Sequence, residues 1–480
     1  MPPDPTLTFL GGAGTVTGSR FLLQLQDLRI LVDAGLFQGL RALRRRNWDP
    51  FPVPADLLDA VVVSHAHLDH VGYLPALVQQ GFRGPVVATP WTVDLARIVL
   101  ADSAKLQELD AANAAARGYS RHRSPRPLYT RADAEQAMER FQPAMFGAEV
   151  ELAPDAAVTL RRAGHILGSA CPLVRIGGTR VQFSGDLGRG THPLLLPPEP
   201  PAACDVLVVE STYGDRRHRP QVIDELGAAI ARTIGRGGSA VIPAFAVDRT
   251  EVLLAALRTL IDACAIPAVP IWVDSPMALA AYDVYQRAAA HELGDLQPGV
   301  AAELMAPPNL RAAASTADSI ALNDPAEPSI IVSAAGMATG GRVLHHLKAM
   351  LPRREHSVLL VGYQAVGTRG RDLLHGARAV KIHGVYVPVR AEVVDLTGFS
   401  VHADADELVA WVAAAPHEPA AVYVVHGEPE SSRALADRIC DELGWLAVVP
   451  RDGERVRLPG AAAPAAVDRP ISQSAAAGRG

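Results

Sequence analysis

Residues 65–70 read His-Ala-His-Leu-Asp-His, three imidazoles and a carboxylate within one short stretch. They follow an apolar, β-branched run, Asp59-Ala-Val-Val-Val-Ser64, that reads as a buried strand. Side chains two apart on an extended segment point the same way, so His65 and His67 can present imidazoles to one metal. The chain then turns into a helical pattern (Val71, Leu74, Leu77, Val78), which swings Asp69 and His70 towards a neighbouring position. This donor set suits zinc, or another borderline metal that accepts nitrogen and oxygen. A solvated histidine-rich turn would not account for the further His and Asp candidates at strand ends downstream.

Those candidates come in order. His165 sits in Ala-Gly-His-Ile-Leu-Gly-Ser169, Asp186 ends a strand in Phe-Ser-Gly-Asp-Leu-Gly188, and His426 ends another in Val-Tyr-Val-Val-His-Gly-Glu428. Singly, each could cap a helix or bond the backbone. With the hexapeptide they make seven ligands, enough for two metals and a shared carboxylate. Asp33, in Leu-Val-Asp-Ala-Gly35, is better placed to hold the far nitrogen of a ligating imidazole.

The elements that must position these groups alternate between short strands and helices. Strands are expected at Leu7–Leu10, Phe21–Leu25, Arg29–Asp33, Ala60–Ser64 and Pro85–Ala88, with helices around His70–Gln80 and Trp91–Leu106. Gly11-Gly-Ala-Gly14 looks like a dinucleotide fingerprint, but a strand-like run follows it instead of a helix, so that reading fails. Residues 112–128 read as a basic surface excursion. Strands resume at Val158–Arg161, Cys171–Ile176, Val181–Ser184 and Val206–Glu210. A second α/β pattern runs from Val222 to about Val380, with strands at Ala240–Ile242, Ile271–Val273, Ile330–Ser333 and Val358–Val361. Ala421–Val425 is a further strand. The Ala-, Gly- and Pro-rich tail from Gly460 reads as disordered.

At 480 residues the chain is long for one core. Its 49% hydrophobic and 20% charged residues are ordinary for a globular protein, and no apolar run is long enough to span a bilayer. The start, Met-Pro-Pro-Asp-Pro, lacks the regions of a secretory signal. Four scattered cysteines without a CxxC pair fit a reducing cytoplasm and leave metal binding to His and carboxylate. A net charge of −6 gives no global pull on nucleic acid, although basic residues cluster at Arg44–Arg46, at Arg117, Arg121, Arg123 and Arg126, and at Arg216, Arg217 and Arg219.

The set Asp33, His65-Ala-His67-Leu-Asp69-His70, His165 and Asp186 resembles the four motifs of the metallo-β-lactamase fold. The remainder resembles its nucleic-acid-processing branch, the β-CASP nucleases. Glu210 of Val-Val-Glu-Ser-Thr-Tyr-Gly matches motif A, His402 of Gly-Phe-Ser-Val-His-Ala-Asp motif B, and His426 motif C. Ile242-Pro-Ala-Phe-Ala-Val-Asp-Arg249, Asp274-Ser-Pro-Met-Ala278, Ala335-Gly-Met337, Thr339-Gly-Gly-Arg342 and Gly362-Tyr-Gln-Ala365 resemble the branch's inserted domain. The likeness covers about residues 5–455 and is nearest to prokaryotic homologues of the eukaryotic pre-mRNA 3′-end endonuclease subunit. Two departures stand out: Val401 where many relatives carry Ala, and Asp248 where a Gly is usual.

The resemblance implies an α/β fold, an αββα sandwich with an inserted α/β domain. The core's first part would be residues 1–212, the β-CASP insert 213–385, the return segment 386–460 and the disordered tail 461–480. It further implies two Zn²⁺ ions, the first held by His65, His67 and His165 and the second by Asp69, His70 and His426, with Asp186 bridging. A bridging hydroxide would attack phosphorus, leaving 5′-phosphate and 3′-hydroxyl ends. The catalytic set would be His402 as general acid, Glu210 orienting it, and Asp69. Ser400, Arg249 and Arg342 would contact substrate phosphate. The implied activity is a cytoplasmic, zinc-dependent ribonuclease, cutting internally, from the 5′ end, or both. RNA would be the partner, no membrane is involved, and a homodimer is compatible. DNA nucleases of the branch carry Val at motif C, so His426 argues for RNA. A small-molecule metallo-hydrolase of the lactamase type would not need the insert, and a catalytically inactive RNA-binding scaffold would have lost ligands.

Overall fold

The computed structural model describes residues 4–117, 124–218, 222–291, 295–300 and 306–459. The tail expected at 461–480, and Arg121, Arg123 and Arg219 of the basic clusters, lie outside the described residues.

Alternation of apolar side chains decides the architecture. On strand Val206–Glu210, Val206 and Val208 face one buried layer while Leu207 and Val209 face another. Likewise Ala60 and Val62 point to one side and Val61 and Val63 to the other. A sheet apolar on both faces must be covered on both. Two seven-stranded sheets meet that demand by packing face to face. The first runs Arg455–Arg457, Thr6–Gly11, Arg20–Leu25, Leu28–Val32, Ala60–Val62, Val86–Ala88, Phe141–Pro143. The second runs Ala447–Val448, Ala421–Val425, Val206–Glu210, Thr179–Phe183, Ala170–Ile176, Ala156–Arg162, Glu149–Ala153. Helices cover both outer faces: Leu74–Gln79, Pro90–Arg117 and Arg131–Met138 on the first, Ala405–Ala413 and Pro429–Arg438 on the second. The result is the αββα sandwich. Its last strands come from the chain's end, because Ala421–Val425 pairs in parallel with Val206–Glu210 and Arg455–Arg457 with Thr6–Gly11 in antiparallel.

Between these passes lies a third sheet, all parallel, in the order Leu310–Ala312, Ile271–Val273, Ile330–Ser333, Ala240–Pro243, Ser357–Leu360, Glu392–Asp395. Helices Val222–Gly235, Arg249–Asp262 and Pro276–Ala290 cover one face and Val343–Met350 and Arg369–Leu374 the other. This is the inserted α/β domain. Its edge strand Glu392–Asp395 lies past residue 385, so the sheet reaches into the return segment.

Three local expectations need correction. The helix expected over His70–Gln80 is two pieces, Leu68–Val71 and Leu74–Gln79. Pro75 lies in the first turn of the second piece and has no N–H to continue the first. The helix from Pro90 runs to Arg117, past Leu106, because its alanine-rich end contains no breaker. The first part of the expected surface excursion, Ala112–Arg117, is therefore helix. No helix among the described residues is long and apolar enough to cross a membrane.

Candidate active site

Strand ends and tight loops carry every ligand candidate. His65 and His67 leave strand Ala60–Val62 in extended backbone, and His67 precedes the turn Leu68–Val71 that carries Asp69 and His70. That turn is clamped by backbone: the N–H groups of Ser19, Ala34 and Leu36 donate to the carbonyls of Asp69, His70 and Leu68 at 2.7–2.9 Å. Gly35 permits the approach, since a Cβ there would lie 1.7 Å from the Asp69 carbonyl oxygen. His165 sits in the loop between Ala156–Arg162 and Ala170–Ile176, where its N–H donates to Ser169 Oγ at 2.9 Å. Asp186 follows Thr179–Phe183, and His426 follows Ala421–Val425 with a positive φ of 48°.

The structure brings all seven together. His67 Nδ1 is 3.1 Å from His65 Nε2 and 3.3 Å from His165 Nε2. His70 Nε2 and His426 Nε2 are 3.3 Å apart, and Asp69 Oδ2 is 3.5 Å from His426 Nε2. Asp186 lies between the two groups. Its Oδ2 is 3.5 Å from His65 and 3.7 Å from His165, while its Oδ1 is 3.2 Å from His70 Nε2 and 3.3 Å from His426 Nδ1.

These spacings fit metals. Donors about 2.0–2.2 Å from a tetrahedral zinc lie roughly 3.3–3.6 Å from one another. Of the converging atoms, Asp186 Oδ1 is buried with no well-formed hydrogen bond among the described residues, a costly arrangement unless something else satisfies it; the orphaned His67 Nε2 and His165 Nδ1 are the far nitrogens of their rings. Burial pushes the imidazoles of His65, His67 and His165 below their usual range, which keeps their lone pairs free. Burial opposes ionisation of Asp186, yet His426, His70 and His65 hold it well below the usual carboxylate range. Asp33 accepts from Ser64 N–H at 2.7 Å and from His70 Nδ1 at 2.7 Å.

His402 stands apart from these ligand groups. Its Nδ1 is 3.3 Å from Glu210 Oε1, and its ring lies 4.4 Å from that of His165. Glu210 is fully buried at the end of Val206–Glu210, where Oε1 accepts from Leu187 N–H at 2.6 Å and Oε2 from Thr212 N–H at 3.2 Å. Asp404 is occupied otherwise, capping helix Ala405–Ala413 in a reciprocal pair with Glu407. A further group, His218, Asp404 and Glu407, is accounted for by that cap and by His218 Nε2 donating to the His402 carbonyl at 2.8 Å.

A cleft of about 1140 Å³ opens over the centre, between the sandwich and the insert. Arg249 and Arg342 both line it, but differently. Arg342 donates to Asp274 Oδ1 at 2.7 Å and braces the wall. Arg249 is buried, and its Nε and Nη1 have no hydrogen-bond partner among the described residues. Ser400 is buried and does not line the cleft, whereas its neighbour Val401 does.

Sequence reasoning did not find the seam between the two bodies. Asp248 is buried at φ +67°, a backbone conformation that explains why glycine suits this position. Its carboxylate accepts from Tyr285 OH at 2.7 Å and from His192 Nε2 at 3.1 Å. His192 Nδ1 accepts from the Leu194 and Leu195 N–H groups, so its proton sits on Nε2. Tyr285 accepts from Leu167 N–H at 3.0 Å, and Asp295 from Gly168 N–H at 2.6 Å, in the loop that carries His165. The unusual Asp248 was visible in the sequence, but its partners lie 56 and 37 residues away.

Comparison with known proteins agrees with this layout. A beta-lactamase superfamily domain matches residues 28–242, a Beta-Casp domain 250–373, and a Zn-dependent metallo-hydrolase RNA specificity domain 386–450. Ribonuclease TTHA0252 of Thermus thermophilus is 37% identical over 435 residues, covering 88% of this chain and 94% of that protein. Transcription termination factor FttA of Pyrococcus abyssi is 31% identical, covering 94% of this chain and 71% of that protein. The same factor from Methanocaldococcus jannaschii is 28% identical with the same coverage. A solved structure of a protein of unknown function from Enterococcus faecalis shares the fold, with a TM-score of 0.52 at 14% identity over 95% of this chain and all of that one. The chain belongs to the metallo-β-lactamase-fold β-CASP ribonuclease family and is a metallo-hydrolase.

Proposed function

We propose that this chain is a zinc-dependent ribonuclease that hydrolyses RNA phosphodiester bonds and leaves 5′-phosphate and 3′-hydroxyl ends. The observation that carries the reading is Asp186, one buried carboxylate whose two oxygens face two separate donor groups. His65, His67 and His165 would hold one ion, Asp69, His70 and His426 the other, and Asp186 both. When bound, such a pair supplies Lewis acidity to phosphoryl oxygens and acidifies water towards neutral pH.

The chain's own residues do the rest. Glu210, fixed by two backbone N–H groups, engages His402 Nδ1 and leaves Nε2 to hold a proton for the departing 3′-oxygen. Arg249 offers buried guanidinium donors to a phosphate in the cleft, where Arg instead of Lys gives a planar fork. Phe245 and Tyr363 line the same cleft and offer apolar faces to bases. Cys264 and Cys440 are exposed thiols, which suits a reducing cytoplasm.

Metal analysis of the purified protein, coupled to cleavage of end-labelled RNA and DNA of one sequence, tests the reading. About two zinc ions per chain and RNA products with 5′-phosphate ends are expected. Products ending in 2′,3′-cyclic phosphate, or cleavage confined to DNA, would overturn it.

A further inference from the structure

A second feature of the insert points away from the catalytic centre. Residues 369–390 carry five Arg or Lys and one Asp, in a chain whose net charge is −6. Within them, Ala379–Ile382 and Val385–Pro388 form an isolated antiparallel hairpin. Its inward side chains, Val380, Ile382 and Val387, are buried in the insert's core, so its register is firm. Its outward face pairs Lys381 with Tyr386 across the strands. Tyr386 is 74% exposed, with the Lys381 ammonium 5.9 Å from its ring centre. A tyrosine this open contributes little to the fold. No ion pair holds Arg378, Lys381 or Arg390 among the described residues, whereas Arg232, Arg236 and Arg353 elsewhere on the insert are all paired.

The hairpin adjoins the cleft. Thr339 lines the cleft wall, and one guanidinium joins it to the hairpin: Arg369 donates to the Thr339 carbonyl at 3.2 Å and to the Lys381 carbonyl at 2.6 Å. Beside it, helix Val343–Met350 starts next to cleft-lining Arg342 and presents exposed His345 one turn on, its ring centre 4.6 Å from that of His383 at the hairpin's tip and tilted by 44°. Cationic and aromatic groups thus continue from the cleft mouth onto the outer face of the insert.

We infer that this hairpin is a docking surface for the single-stranded RNA segment that projects from the cleft. A base stacks on Tyr386, and Lys381 and its basic neighbours meet backbone phosphates. Stacking on an exposed aromatic beside unpaired cations is how proteins hold single strands without reading sequence. The inference rests on the ribonuclease reading and extends it from the cut site to the length of RNA engaged.

The test compares wild type, Tyr386→Ala, Tyr386→Trp and Lys381→Gln on single-stranded RNAs of about 6 and about 20 nucleotides. Tyr386→Ala is expected to raise KM for the longer RNA about 10-fold with kcat unchanged, and to leave the short RNA unaffected. Tyr386→Trp should restore the wild-type KM. Lys381→Gln should flatten the dependence of log affinity on log salt by about 0.7 for one lost phosphate contact. An unchanged KM on the longer RNA, or equal losses on both lengths, overturns the inference. So does a change of oligomeric state in Tyr386→Ala without a KM effect, which would assign the surface to a second copy. If the wild type cuts neither RNA, the ribonuclease reading itself falls and takes this extension with it.

Discussion

Replacing Asp248 by glycine, the residue its positive φ would favour, should destabilise this protein. Two effects oppose each other. Asp248 sits at φ +67°, ψ −49°, so glycine would relieve backbone strain of about 1–2 kcal/mol. But the carboxylate also accepts two buried hydrogen bonds, from Tyr285 OH at 2.7 Å and His192 Nε2 at 3.1 Å. Each donor left buried and unmade costs about 1–3 kcal/mol. Burial disfavours the charge on Asp248, yet His192, Tyr285 and Arg249 together hold its pKa below the usual range, so the ionised acceptor is the native one. The net loss is therefore about 2 kcal/mol, and the two orphaned donors would lie at the seam beside the His165 loop. Asp248→Asn keeps the strain and can satisfy one donor at most, because His192 Nδ1 is already taken by two backbone N–H groups. It should lose a comparable amount. Urea unfolding of wild type, Asp248→Gly, Asp248→Asn and Asp248→Gly/His192→Leu would measure this, with the double variant recovering part of the loss. An Asp248→Gly protein as stable as the wild type would refute the idea that this polar cluster holds the seam.

Other consequences follow from the same geometry. Asp186→Ala should lose both metals together, seen as near-zero zinc by elemental analysis; retention of one ion would contradict a shared carboxylate. His402→Ala should keep its zinc while kcat falls roughly 10²–10⁴-fold, with a smaller fall for Glu210→Gln. An emptied metal site in His402→Ala would reassign that residue. Asp295 is raised from 3.8 to about 6 by burial, opposed by the Gly168 N–H, Arg162 and His192. The folded state therefore binds its proton more tightly, so this contribution is full below about pH 4 and is lost as pH rises to about 6. Asp295→Asn should remove that slope and stabilise the protein at pH 7 by up to roughly 3 kcal/mol, read from unfolding midpoints across pH.

The clustered donors were legible because a metal-binding arrangement concentrates its groups on short, patterned pieces of chain. Strand periodicity put His65 and His67 on one side, and the later candidates follow within a few residues of strands whose apolar runs are plain in the sequence. Strand Val206–Glu210 and strand Ala421–Val425 were both visible with their full extents. Helix ends were less so. Pro75 interrupts the helix after the ligand turn, while the alanine-rich run to Arg117 extends a helix that polarity alone suggested had ended.

What stayed hidden is the long-range polar bonding, and the physical reason is the same in each case. Asp248, His192, Tyr285 and Asp295 come from distant parts of the chain, and none stands in a spacing that metal or helix geometry would impose. The sandwich can hold Asp69 and His70 with its own backbone, through Ser19, Ala34 and Leu36. The His165 loop is held from both bodies: Thr89 and Thr92 of the sandwich donate to the Gly168 carbonyl at 2.6 and 2.8 Å, while the insert supplies Tyr285 OH to Leu167 N–H and Asp295 to Gly168 N–H. One flank of the candidate metal centre therefore takes part of its bonding from the insert. The inserted domain thus braces the His165 loop as well as walling the cleft, and the Asp248 carboxylate, bonded to Tyr285, ties that flank down.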